Sequence, residues 1–167
     1  MMVERFGMDV QQLTTLYLIN LILNIGLAPL LGRAVARYGE RNALVLEYFG
    51  LALVFFAYGG IYLFGWGILI AASLYILDHL FFALALAIKT YFQKIADPQD
   101  IAATAAVAFT INHIAAIFLP VSLGFLWLKS PFLVFCTAGT LAIFSFVLAL
   151  LIPREPRIGK ETIFCVS

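Results

Sequence analysis

The sequence predicts an all-α membrane protein, a polytopic bundle of five transmembrane helices, from three observations. Of 167 residues, 64% are hydrophobic and only 11% charged, against roughly half and a quarter in an ordinary soluble domain. The apolar residues fall into five runs, each near the roughly 20 residues that cross the hydrocarbon core as a helix. The charges collect in the connections between those runs. A single soluble core of this length cannot hide so much apolar surface. Lipid in turn demands that each spanning segment satisfy its own backbone, which a helix does.

The same composition limits the function classes. The net charge of +1 is segregated by position rather than gathered into a basic patch, so the expected partner is a lipid bilayer and not a nucleic acid. Cys136 lies inside an apolar run and Cys165 in the tail, so they build no disulfide framework. Met1 to Gln12 is polar and mixed in charge. It lacks the basic start and short apolar core of a cleavable signal peptide and reads as an extramembrane segment leading into a helix.

Residues 1–152 form the predicted membrane domain and 153–167 a polar tail. The first span covers about 13–31, with Tyr17, Asn20 and Asn24 at helical spacing on one face and Pro29 placed to bend its end. Leu31 to Arg41 then reads as a short loop with three arginines and two glycines. A loop this short makes the flanking spans antiparallel neighbours. The second span, about 43–64, carries Glu47 near its loop end, and its Gly59-Gly60 pair is suited to a close approach of another helix. Phe64-Gly65-Trp66-Gly67 is a tight uncharged turn, with Tyr62 and Trp66 where interfacial aromatics belong.

The third span, about 67–88, carries Asp78-His79 at its centre, and 89–100 is the one long charged connector. The fourth, about 101–126, carries Asn112-His113 with Pro120 beyond; 127–131 is a short turn, and the fifth span, about 132–152, contains no charge. Arg33, Arg37, Arg41, Lys89, Lys94, Arg154, Arg157 and Lys160 lie at one end of the bundle, and only Arg5 and Lys129 at the other. Positive charge is retained in the cytoplasm, so the N-terminus is expected outside and the C-terminus inside.

The stretch Leu31-Gly32-Arg33-Ala34-Val35-Ala36-Arg37-Tyr38-Gly39-Glu40-Arg41 resembles the loop signature of the major facilitator superfamily. That signature runs roughly Gly-x-x-x-Asp-Arg-x-Gly-Arg-Arg. Gly32, Arg37, Gly39 and Arg41 match it, while Ala36 stands at the aspartate position and Glu40 at an arginine position. The signature joins the second and third helices of each six-helix half. Five spans with this orientation and these loop lengths look like helices eight to twelve of such a carrier. The resemblance covers nearly the whole chain and implies a carrier of a small-molecule substrate, seated in the plasma membrane (the inner membrane in a bacterium). It implies no catalytic residues and no cofactor. It also implies that the amino-terminal half and the seventh helix, or an oligomeric partner, are needed beside this chain.

Asn20, Asn24, Asp78, His79, Asn112 and His113 all fall near the middle of their spans. A charge at the bilayer centre costs roughly 3 kcal/mol on insertion scales, so such residues usually face protein or a water-filled cavity. The second and fifth spans lack such a layer. In the resemblance the tenth helix lines the central cavity, the eighth and eleventh flank it, and the ninth and twelfth lie outside. These polar residues sit on the equivalents of eight, ten and eleven. Asp78 is the first choice for a coupling or substrate-contacting residue, with His113 and His79 able to share a proton. Adjacent helical residues point about 100° apart, so Asp78 and His79 cannot both face a cavity squarely. The plainer reading is that these groups only tie helices together, by hydrogen bonds of about 0.6 kcal/mol each. A divalent metal on Asp78, His79 and His113 is a weaker reading, since no two ligands share a helix face at His-x-x-x-His spacing.

At the basic end, Asp97-Pro98-Gln99-Asp100 precedes the fourth span. Asp97 suits an N-cap, Pro98 the first helical position, and Asp100 the negative first turn. In the resemblance the signature's aspartate meets the start of the eleventh helix and helps close the cytoplasmic side. With Ala36 in its place, Asp97 or Asp100 is expected to pair with Arg33 or Arg37 as a gate, an exposed contact worth about 0–1 kcal/mol. Ala102 to Ala106 is a small-residue surface for close helix packing, and Arg154, Arg157 and Lys160 are interfacial anchors. A different class of reading is a small five-span protein that serves as an assembly partner without transport.

Overall fold

A computed structural model describes residues 1–164, so Cys165 lies outside the described residues. A short helix, α1 (Met2–Phe6), ends at Gly7 in the left-handed conformation. Asp9 then starts α2 (Val10–Tyr38) with a reciprocal capping box: its carboxylate accepts from Gln12 N at 2.8 Å, and Gln12 Oε1 accepts from Asp9 N at 3.2 Å. Next come α3 (Glu40–Phe64), α4 (Ile68–Phe82), a 3-10 turn (Ala83–Ala85) and α5 (Leu86–Ile95). The last two helices are α6 (Ile101–Lys129) and α7 (Pro131–Leu150). With α4, the 3-10 turn and α5 forming one segment, five helical stretches among the described residues are long and apolar enough to cross a membrane. The fold is the all-α five-span bundle, with the build of an integral membrane protein.

The arginine stretch is a correction. It is not a loop: α2 continues to Tyr38, and Gly39 alone breaks the path before α3 begins at Glu40. Leu, Ala and Arg are strong helix formers, so nothing stops the helix where the apolar run ends. Gly39 stops it because its φ of 86° is closed to most side chains, while its N–H bonds Val35 O at 2.9 Å. At about 1.5 Å per residue a helix of 29 residues outruns a hydrocarbon core of about 30 Å, leaving its basic end beyond the core. For the same reason α5 carries the third span on to Ile95 and shortens the charged connector to 96–100. Gly65, with φ 68°, makes the expected turn before α4.

The axis of the bundle is α3, which buries residues on several sides, although the resemblance implies a peripheral place for the second span. Its small residues admit neighbouring rings. A Cβ on Gly50 would lie 2.5 Å from the Phe81 ring, and one on Gly59 3.4 Å from Phe132. The most extensive packing is between α3 and α7, where Tyr58 and Phe135 stack at 5.1 Å. The glycine pair therefore receives rings rather than a second backbone. The N-terminal segment folds over one end: Met2 and Met8 are buried against Val54, Tyr58, Ile61 and Ala71, and Arg5 donates to Ile61 O at 2.8 Å. By contrast α6 buries none of its residues. It leans on α7 and is held at one end by Trp127 Nε1 donating to Glu4 Oε2 at 2.9 Å.

Candidate functional site

Four of the six mid-span polar residues come together where α2 meets α4. Asn20 is 2% exposed, and its Nδ2 donates to Tyr75 O across the helix pair at 3.3 Å. His79 Nδ1 lies 3.1 Å from the same carbonyl and 3.5 Å from Asp78 Oδ2, so one ring nitrogen faces both oxygens. The Tyr75 and His79 rings lie 4.5 Å apart. Asn24 Nδ2 donates one turn back along its own helix, to Asn20 O at 3.0 Å. Asn20 and Asn24, with Leu23, Leu27, Ile76 and Leu80, line a cleft of about 20 Å³, room for a single water.

Asp78 and His79 meet at that ring nitrogen. His79 contacts residues of its own helix, and Asp78 lines an open groove of about 500 Å³ with Phe55, Tyr58, Tyr75 and Phe135, roofed by Met1 to Glu4. A half-buried carboxylate with one imidazole beside it, at the mouth of an apolar groove, can pass a proton to that imidazole and present a hydrogen-bonding group to a solute. Tyr17 is exposed and stands outside this cluster.

Asn112 and His113 do not join it, contrary to expectation. Both are exposed on α6; His113 Nδ1 lies 2.9 Å from Phe109 O in its own helix, and its ring rests on Phe109 at 3.8 Å. The physical reason is that α6 is apolar on every side, so no stripe directs one face inward. Among the described residues no three of His, Cys, Asp and Glu converge as metal ligands.

The basic end is held differently from expectation. Asp97 Oδ1 accepts from Gln99 N at 3.0 Å, a local turn rather than an N-cap. The capping position is Asp100, whose side chain makes no cap bond. Among the described residues neither pairs with an arginine. Arg33 Nε donates to Pro29 O at 3.2 Å, and Arg37 lies over the Tyr38 ring at 5.6 Å. Gly32 sits inside α2 with open space around it. The clasp is instead Lys94 Nζ to Glu40 Oε1 at 2.7 Å, with the Glu40 side chain only 4% exposed and Lys94 52%. Arg41 adds a bond to Leu150 O at 3.1 Å, and the Tyr91 hydroxyl donates to Glu161 O in the tail. Glu40 stands where the signature has an arginine, and that reversed charge was the signal for a basic partner. Glu47 was also passed over.

Lys94→Ala is expected to destabilise by about 1–3 kcal/mol, because it leaves the buried Glu40 carboxylate without its cation. Glu40→Gln together with Lys94→Ala should recover most of the loss. Thermal melts of the purified chain in detergent would show it; equal losses in the single and double variants would mean the pair contributes nothing beyond side-chain contact. No family model matches this chain, and no curated protein or solved structure matches it either.

Proposed function

We propose that this chain is the carboxy-terminal half of a secondary transporter of the major facilitator type, carrying a small solute by alternating access. One observation carries the reading: the cluster of Asn20, the Tyr75 carbonyl, His79 and Asp78, midway along the first and third spans and open to an apolar groove. Intramembrane ionisable groups are costly and usually mark solute or proton pathways. The signature residues Gly32, Arg37, Gly39 and Arg41 support the same assignment. So does the Glu40–Lys94 clasp, which closes the basic end between the start of the second span and the end of the third. On this reading the basic end is cytoplasmic and the bilayer is the plasma membrane. Alternating access needs two halves around a midplane site, so Asp78 completes its site against a second half or an oligomeric partner.

The test is solute flux in proteoliposomes under an imposed proton gradient, comparing this chain alone with the chain joined to the sequence preceding it in its gene. Flux only from the longer form supports the reading. Flux from the 167 residues alone would mean an oligomer builds the pathway. The exposure of α6 along its whole length also favours a second reading, a five-span assembly partner. Stable co-purification with another membrane protein, without flux in either form, would decide for it.

A further inference from the structure

Glu47 holds the one buried side-chain oxygen among the described residues without a hydrogen-bond partner: its Oε2 is sealed from solvent and nothing donates to it. The residue is 2% exposed, and it lies one and a half to two turns inside α3 from the clasp at Glu40.

What covers it follows from helix register. Leu44, one turn before Glu47, packs in one cluster with Leu84 and Ala87. Gly50, one turn after, lies against the Phe81 ring. Because α3 and the third span run antiparallel, Glu47 falls opposite Ala83–Ala85, where α-helix gives way to a 3-10 turn. A 3-10 stretch inside a long helix often marks a hinge.

No cation reaches the carboxylate from any packed element. On the third span, Lys94 is engaged by Glu40, Lys89 is exposed, and Asp78 and His79 face each other on the far side of the 3-10 turn. On α2, Arg33 and Arg37 are held by Pro29 O and the Tyr38 ring. On α3 itself Arg41 reaches Leu150 O and Tyr48 is the chain neighbour; α7 brings no charged residue, and in the tail that follows it Arg154 and Arg157 are exposed. An ionised carboxylate so enclosed carries an uncompensated desolvation cost of several kcal/mol, whereas the neutral acid carries only the smaller cost of a buried polar group.

We propose that Glu47 is a proton-binding site, enclosed by the 3-10 turn of the third span. The site is separate from the Asp78 cluster and stands whether or not the chain carries a solute.

Carbodiimides test it on the whole chain in lipid nanodiscs at pH 7. A protonated carboxyl adds across the reagent: its proton goes to one nitrogen and its oxygen bonds the central carbon. The acyl group then migrates to nitrogen as a stable N-acylurea, so the adduct gains one reagent mass and nothing leaves. Lipid-soluble dicyclohexylcarbodiimide is expected to modify Glu47, read by peptide mass spectrometry. The water-soluble ethyl-dimethylaminopropyl reagent is expected to miss Glu47 and mark exposed carboxyls such as Glu4 and Glu155. Glu47→Gln, which copies the neutral acid, should lose the adduct and melt at the wild-type temperature. No adduct at Glu47, equal modification by both reagents, or a clearly lower melting temperature for Glu47→Gln would each overturn the proposal. The last would reveal a partner that needs the charge.

Discussion

On the carrier reading proposed above, Asp78→Asn is expected to lower proton-driven uptake by at least about tenfold, the equivalent of 1.4 kcal/mol on the barrier. The amide keeps the size of the carboxylate and can still hydrogen-bond a solute at the groove lined by Phe55, Tyr58, Tyr75 and Phe135. It cannot take up or release a proton. Exchange of solute down its own gradient should therefore persist while the gradient-driven component disappears. Folding should hold, since the hydrogen bond that ties α2 to α4 runs from Asn20 to the Tyr75 carbonyl and does not involve Asp78. Unchanged gradient-driven uptake, with a normal melt, would reduce Asp78 to a packing residue and leave the proton to another group.

The five spans were legible because lipid imposes one strong rule: about 20 apolar residues per crossing. Their ends were less legible for the same reason. An apolar run ends where the hydrocarbon ends, but a helix ends only where its backbone is stopped. Thus α2 runs on through Arg33 and Arg37 to Gly39, and the third span through Lys89 and Lys94 to Ile95. That extension decides the clasp, since it carries Lys94 to Glu40 while Asp97 turns on its own backbone.

The polar layer was half legible. Insertion cost singles out mid-span polar residues but says nothing about which way a uniformly apolar helix is rotated, and so Asn112 and His113 on α6 were grouped with residues they do not touch. Glu47 was passed over because its place near the loop end of an apolar run says nothing of what packs over it. Only the packing of Leu44 with Leu84, and of Gly50 with Phe81, shows that its carboxylate is enclosed.

The close approach of α3 to α7 at Gly139 makes a sharper test of the bundle. A Cβ built on Gly139 would lie 2.9 Å from the far end of the Phe56 ring, inside any normal carbon contact. Beside it Leu51, Ala52 and Ala142 form a buried cluster, and Tyr58 stacks on Phe135. Between apolar helices in lipid, association depends on such packing, because lipid is as apolar as the side chains it would replace. Phe56 is partly exposed, so its ring can tilt aside for the single methyl of Gly139→Ala at little cost. Gly139→Leu has no such escape and is expected to destabilise by about 3 kcal/mol, the upper end of overpacking. Because α6 rests on the bundle chiefly through α7, loosening α7 should release both, seen as loss of the Trp127–Glu4 contact in tryptophan fluorescence. Gly124→Leu on α6, where an added Cβ meets nothing within 4 Å, is the matched control and should melt as wild type. Equal melting shifts from the two leucines would mean that α3 and α7 do not pack through Gly139.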